Sequence, residues 1–447
     1  MKTCTRRVSA NPQRPNRKLQ MTDSKSKQIL SRLSDEDFVD REVEVARVCG
    51  LARRSNDRGS HGRESIAILL GAPRAGKTEI LRRSFDRLFN ECGETLPFYY
   101  ALRSSCLDPG QFARDYFSQF LAQFVAFRRN DPRLISAAVE PLGILARAAP
   151  ADDYLCVRSM TDSFARAAQS DDASSLVRFV LSAPAVAAAH TGLKPLALID
   201  DWSLIARADL RGEFLRSMVA ARWEKPGTAY AVTGLQRVAI ELIPADQESF
   251  DGVELIRLGR IGDESLEKLT RRRAELLGIE ITDSTIELIA QQLNRDFFYT
   301  RAILDAAASR GSSLRTFLEF ERIYAGEVLS GHIGHYLEAM LRDVAPASPQ
   351  RRAALEALAL VIEADSPVPI DAVSECMLEH APDSEALLEG LRSREMLDIS
   401  CGFLTASGDP VLADYVRAKY RSEIAGAPRP AAGEELVGEK QIGRAHV

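Results

Sequence analysis

Residues 65–80 read SIAILLGAPRAGKTEI: an apolar run, a glycine-bounded loop, then the start of a helical pattern. Gly71, Gly76, Lys77 and Thr78 match GxxxxGK[ST] without a mismatch, between a strand and a helix as the motif requires. The glycines let the backbone curl so that successive N–H groups, including those of Ala72, Arg74 and Ala75, point inward at phosphate oxygens, with Pro73 shaping the turn. The helix N-terminus adds a positive dipole. Lys77 is expected to reach the β- and γ-phosphates, and Thr78 to offer its hydroxyl to Mg²⁺.

Such a loop calls for an acid at the end of a second apolar strand, beside it in the sheet. KPLALIDDW (194–202) supplies it. Asp200 is expected to hold Mg²⁺ through water, and Asp201 to orient or deprotonate the attacking water. The competing reading of Asp201 is a helix cap, since Asp and Ser203 are both good N-caps; the two roles can coexist. Asp rather than Glu at that position points to slow turnover. TAYAVTG (228–234) carries Thr233 near its end, where its resemblance to P-loop ATPases with an inserted central strand implies a polar residue facing the γ-phosphate, and Arg237 follows as a phosphate or subunit sensor or a solvated arginine.

Strands are expected at 65–70, 96–103, 194–202, 228–234 and 252–258, with mostly helical pattern over 109–190 broken near Pro132, Pro150 and Asp171–Asp172. Strands alternating with helices argue for an α/β fold with a parallel sheet covered on both faces. After Ile261 the pattern is helical only, at about 262–277, 283–294, 297–309 and 313–327. A final unit shows helices at 350–364, 368–379 and 384–394, two short strands in MLDIS-CG-FLTA, and a helix over 409–421. Three helices with a β-hairpin is the winged-helix order.

The 447 residues suit two or three domains, and 45% apolar with 27% charged residues is a globular composition. No apolar run approaches the roughly 20 residues needed to span a bilayer, and no leader is expected, because the basic N-terminus lacks an apolar stretch. The seven cysteines are scattered without CxxC or zinc spacing, which fits a reducing cytoplasm. Residues 1–20 carry six basic residues and no acid, so 1–34 reads as a disordered or wrongly started arm. The last seven residues, QIGRAHV, read as the translated start of a sequencing adapter. Setting aside +6 and +1 at the two ends turns the formal −5 into −12, which disfavours a nucleic-acid coat.

Together these residues resemble the AAA+/STAND group of P-loop ATPases, near the archaeal-type and origin-recognition-like members. FVDREVE (38–44) is similar to the FVGREXE motif that packs beside adenine in that group, which carries Val39 and Arg41 over as nucleotide-binding positions. VTGLQR (232–237) is similar to the group's TGS-type segment. The resemblance implies a five-stranded P-loop NTPase sheet of the additional-strand type over 35–261, a helical lid over 262–345 and a winged helix over 346–422. Residues 423–447 then form a linker and the adapter-derived tail, and a sensor domain is expected beyond. One departure stands out. Where the group reads GGNPFYLRAIL, this chain reads LNRDFFYTRAIL (293–304), with Phe297 in place of the proline that links nucleotide state to winged-helix position. Arg295 or Arg301 could reach the phosphates from this lid.

Other features have plainer readings. HIGH at His332–His335 copies a class I synthetase signature in the wrong part of a fold. Arg271–Arg273, alternating with Glu264, Glu267 and Glu275, reads as a solvated helix face with i,i+4 pairs. Phe117, Phe120, Phe124 and Phe127 read as core. Residues 349–421 hold seven basic residues against thirteen acids, and the helix that would enter a DNA groove carries Glu385 and Glu389. Phosphate neutralisation drives DNA affinity, so a protein contact or self-oligomerisation is favoured over DNA. The resulting expectation is a cytoplasmic, Mg²⁺-dependent ATP-binding switch. The alternatives are a DNA-binding initiator or transposition helper and a non-hydrolysing, nucleotide-gated scaffold.

Overall fold

The computed structural model describes residues 28–54, 66–102, 108–170, 172–202, 227–234, 253–377, 379–381 and 383–426. After α1 (Glu42–Arg54) the chain enters β1 (Ile66–Leu70), α2 (Lys77–Glu91) and β2 (Thr95–Ala101). A helical excursion follows: α3 (Pro109–Arg129), a 3₁₀ turn, α4 (Leu142–Ala148), α5 (Ala151–Ala167) and α6 (Ala173–Thr191). Then come β3 (Lys194–Asp200), β4 (Ala229–Gly234) and β5 (Glu254–Arg257).

These form one parallel sheet in the order β2-β3-β4-β1-β5. Every residue of β1 is buried, as a strand covered by helices on both faces requires. β4 lies between β1 and β3, so one strand separates the loop-bearing strand from the strand that ends in Asp200. This is the expected α/β P-loop sheet. The aromatic spacing of α3 does build core: Phe117, Phe120 and Phe124 are fully buried, and Phe127 nearly so. Phe117 stacks on Phe164 at 4.5 Å, and Phe120 meets Phe98 edge-on at 5.4 Å.

The second half holds α7 (Asp263–Leu277), α8 (Asp283–Gln292), α9 (Phe297–Ser309), α10 (Phe317–Ser330) and α11 (His332–Val344). It continues with α12 (Ser348–Glu363), β6 (Val368–Pro369), α13 (Ile370–Met377), α14 (Ser384–Ser393), β7 (Leu397–Ser400), β8 (Phe403–Ala406) and α15 (Pro410–Glu423). β8 pairs antiparallel with both β7 and β6. Buried apolar residues divide into two clusters, one from Phe38 to Leu258 and one from Ala274 to Val416. The second cluster runs through α7–α15 without a break, so the expected lid and C-terminal unit share a single core.

Several expectations are corrected. Residues 29–33, inside the span read as an arm, are hydrogen-bonded to Asp86 and Glu79 of α2. Helix α11 lies within the span read as a helical lid, beyond the last helix given individual bounds, and its two HIGH histidines are exposed on its first turn. Helix α6, at 19 residues and mean hydropathy 1.2, is long and apolar enough to cross a membrane by composition. It instead packs against α3 and α5, with Val177, Val180 and Leu181 in the core. Of the three arginines in α7, only Arg271 pairs along its own helix, with Glu267. Arg272 pairs with Glu36, and Arg273 with Asp305.

Candidate nucleotide site

β1 ends at Leu70, whose carbonyl accepts the Leu258 N–H (2.7 Å), and the chain turns at Gly71. A Cβ on Gly71 would lie 3.0 Å from the Leu258 Cβ and 3.3 Å from its carbonyl oxygen, so a side chain there would crowd the end of β5 and glycine fits the close approach. The loop curls through positive φ at Arg74 (66°) and Gly76 (91°). Helix α2 then starts with no side-chain cap. No side chain therefore competes with an incoming anion for the amides of its first turn. Lys77 Nζ donates back to the carbonyls of Gly71 (2.5 Å) and Ala72 (2.8 Å). Burial pushes its pKa down, against the opposing pull of Glu395, Asp200 and Asp201.

Asp200 is buried at the end of β3 and collects three hydroxyl donors. Thr78 Oγ1 (3.1 Å) and Thr233 Oγ1 (2.6 Å) donate to Oδ1, and the Tyr99 hydroxyl (2.9 Å) donates to Oδ2. Burial and the Asp200 charge raise the Tyr99 phenol, which keeps it a donor. Tyr99 was not among the expected residues. Its signal lay in strand register: Ala101 is opposite Asp200, and Tyr99, two residues earlier, shares that face. Asp201 follows at φ 60° and is exposed, and its N–H donates to Thr233 Oγ1 (2.9 Å). Thr233 thus fixes both acids. Ser203 and Arg237 lie outside the described residues.

The structure therefore brings together Gly71–Thr78, Asp200, Asp201 and Thr233. Arg41 goes elsewhere: it donates to the Gly259 carbonyl (2.6 Å) and pairs with Glu44 (3.3 Å). Val39 is half-buried in the same segment, where Asp40 also accepts the Gly262 N–H (2.9 Å). This segment stitches the start of the core to the β5–α7 connection. Arg295 and Arg301 pair with Asp263 and Asp305 rather than meeting the loop.

The donor set suits Mg²⁺. No group of three or more His, Cys, Asp or Glu that could cage a metal occurs among the described residues. Mg²⁺ needs no such cage, because it takes one or two protein oxygens and completes its shell from phosphates and water. Thr78 and Asp200, 3.1 Å apart at the end of the loop, are the residues that would hold it, Asp200 through water.

Two further constructions surround the loop. Asp86 of α2 accepts the N–H groups of Ile29 (3.0 Å), Leu30 (2.7 Å) and Ser31 (3.0 Å) and the Ser31 hydroxyl, while Glu79 accepts those of Arg32 and Leu33. An N-terminal strap is thereby pinned to the helix that carries the P-loop. On the other side, Arg74 leaves the loop and enters the second half of the chain. It pairs with Asp296 at 3.0 Å and lies over the rings of Tyr299 (4.1 Å), Tyr336 (4.5 Å) and Phe298 (4.7 Å). Next to it, Pro73 of the loop and Arg260, Arg392, Arg394 and Glu395 line a cleft of about 430 Å³.

No family model and no curated protein sequence matches the chain. Solved structures do. The Walker-type ATPase of Pyrococcus abyssi superposes with a TM-score of 0.51 at 14% identity, over 87% of this chain and 98% of that one. The Orc1 protein of Aeropyrum pernix, solved in complex with DNA, gives 0.45 at 13% identity over 85% and 92%. Cdc6p of Pyrobaculum aerophilum gives 0.40 at 14% identity over 94% and 97%. The first of these establishes the fold, that of a Walker-type P-loop ATPase. At such identities the likeness extends no further.

Proposed function

We propose that this chain binds Mg²⁺-ATP at Gly71–Thr78 and hydrolyses it slowly, as a cytoplasmic regulatory switch of the AAA+/STAND type. The observation that carries this is the convergence of Thr78, Thr233 and Tyr99 on Asp200, with Asp201 beside them at the mouth of the loop. Loop amides and Lys77 bind the phosphates. Thr78 and Asp200 would hold Mg²⁺, which when bound would offset the charge of the phosphates. Asp201 orients water and takes its proton, and Thr233 holds the backbone of Asp201 in place. The output is a change in how α7–α15 sit on the P-loop, read by a protein partner or a second copy of the chain. The cleft wall supports this over a DNA-binding role, since Arg392 and Arg394, at the end of α14, line the cleft beside Pro73 and pair with Glu389 and Asp343.

ATP binding to Lys77→Ala is the first test: loss of affinity is expected, and unchanged affinity refutes the site. Asp201→Asn should keep binding and lose turnover; equal turnover would leave Asp201 a capping residue. A wild type that binds ATP without releasing phosphate would be the scaffold form of the same site.

A further inference from the structure

A phosphate cradle uses the backbone of its intervening residues, so their side chains are free for other work. Arg74 sits at φ 66°, a conformation that residues other than glycine rarely adopt. Its side chain is 17% exposed, and its partners all come from the second apolar cluster's half of the chain. Asp296, Phe298 and Tyr299 belong to the start of α9, Tyr336 to α11, and Asp409 (3.8 Å) to the start of α15.

The two acids are themselves fixed. Asp296 caps α9 through the N–H groups of Phe298 and Tyr299, and Asp409 caps α15 through those of Val411 and Leu412. The Tyr299 hydroxyl donates to Asp409 at 2.8 Å, closing the ring of partners. A planar guanidinium can stack on rings and pair with carboxylates at once, which an ammonium cannot match.

We propose that Arg74 is a positioning residue that couples the phosphate loop to the lid and C-terminal unit. Its socket holds the first turns of α9 and α15 against the loop, so nucleotide cannot leave until the socket opens. The coupling rests on the ATP reading above. It also replaces the proline that is Phe297 here: the same turn is tied to the loop by Asp296, one residue earlier.

The test compares wild type, Arg74→Ala, Arg74→Lys and the pair Asp296→Asn/Asp409→Asn, in which asparagine keeps both caps. One readout is hydrogen exchange in the first turns of α9 and α15, measured without nucleotide. The other is release of a fluorescent ATP analogue. Arg74→Ala and the double asparagine variant should exchange faster at both turns and release nucleotide about tenfold faster, with Arg74→Lys in between. Combining Arg74→Ala with the asparagine pair should add little further, because all three act on one socket. Wild-type release and wild-type exchange in Arg74→Ala would overturn the coupling while leaving ATP binding intact. A wild type that binds no nucleotide would overturn the ATP reading and the coupling with it. If Arg74→Ala does not fold, the asparagine pair decides the matter alone.

Discussion

Replacing Thr233 by valine keeps the volume of a residue only 1% exposed and removes its hydroxyl. Two interactions vanish together: the donation to Asp200 Oδ1 (2.6 Å) and the acceptance of the Asp201 N–H (2.9 Å). A hydrogen bond to a charged group contributes about 1.5–3 kcal/mol and a neutral one about 1 kcal/mol. Asp200 keeps Thr78 and Tyr99 as donors, which softens the first loss. The net destabilisation should be about 2–4 kcal/mol. Thr233→Ser keeps both interactions and loses one buried methyl, about 1 kcal/mol. Urea unfolding of the two variants side by side measures the difference, and ATP turnover should follow it, because Asp201 is no longer held at its turn. If the valine variant unfolds within about 0.5 kcal/mol of the serine variant and turns over equally, Thr233 does not organise the acids.

Asp86→Ala removes the acceptor for three strap amides and a hydroxyl; it should raise hydrogen exchange over residues 29–33 and cost about 2–3 kcal/mol in urea unfolding. Gly71→Ala places a methyl 3.0 Å from the Leu258 Cβ; it should weaken ATP binding and destabilise the sheet by about 1–3 kcal/mol in the same assays. Glu338 gives a pH dependence. Burial alone would raise its carboxyl, but hydrogen bonds from Lys419, Tyr415 and Arg342 hold it down at about 2, against an ordinary 4.5. Because the folded value is the lower one, its stabilisation is complete above pH 4.5 and is lost as pH falls towards 2. The stability gap between wild type and Glu338→Gln, followed by denaturant titration, should therefore close over that interval.

The sheet and the gathering of the candidate residues at the end of its strands were legible because they rest on local pattern. IAILL followed by a glycine loop, and LALID ending in two acids, each state a strand and its last residue within a short window. Thr233 was legible because it too lies at the C-terminal end of a strand, one residue before the last. The partners of Arg74 were not, because the loop motif leaves that side chain unspecified and its carboxylates lie far along the chain at Asp296 and Asp409. The strap escaped notice for the opposite reason: Ile29, Leu30 and Ser31 bind through backbone N–H groups, which any sequence carries. The FVDRE resemblance pointed to Arg41 but not to its partner: the guanidinium holds the Gly259 carbonyl, 218 residues away in sequence. The absent proline at Phe297 marked the right place. What the sequence did not disclose is that the residue before it caps α9 and receives Arg74.

The strand order has a bearing on how the chain is made. β1 pairs with β4 and β5, and Ile66 must wait for Tyr230 to find its partner in the sheet. At translation rates of about 5–20 residues per second, that wait is roughly 10–30 s. Throughout it the five apolar residues Ile66–Leu70 have left the ribosome without either neighbouring strand. The pair β2–β3 faces a similar gap, filled by the helices of residues 109–191. These helices fold on local contacts and can form first. Nascent chains arrested before residue 229 should thus be the aggregation-prone species, and the natural clients of chaperones that shield bare strands.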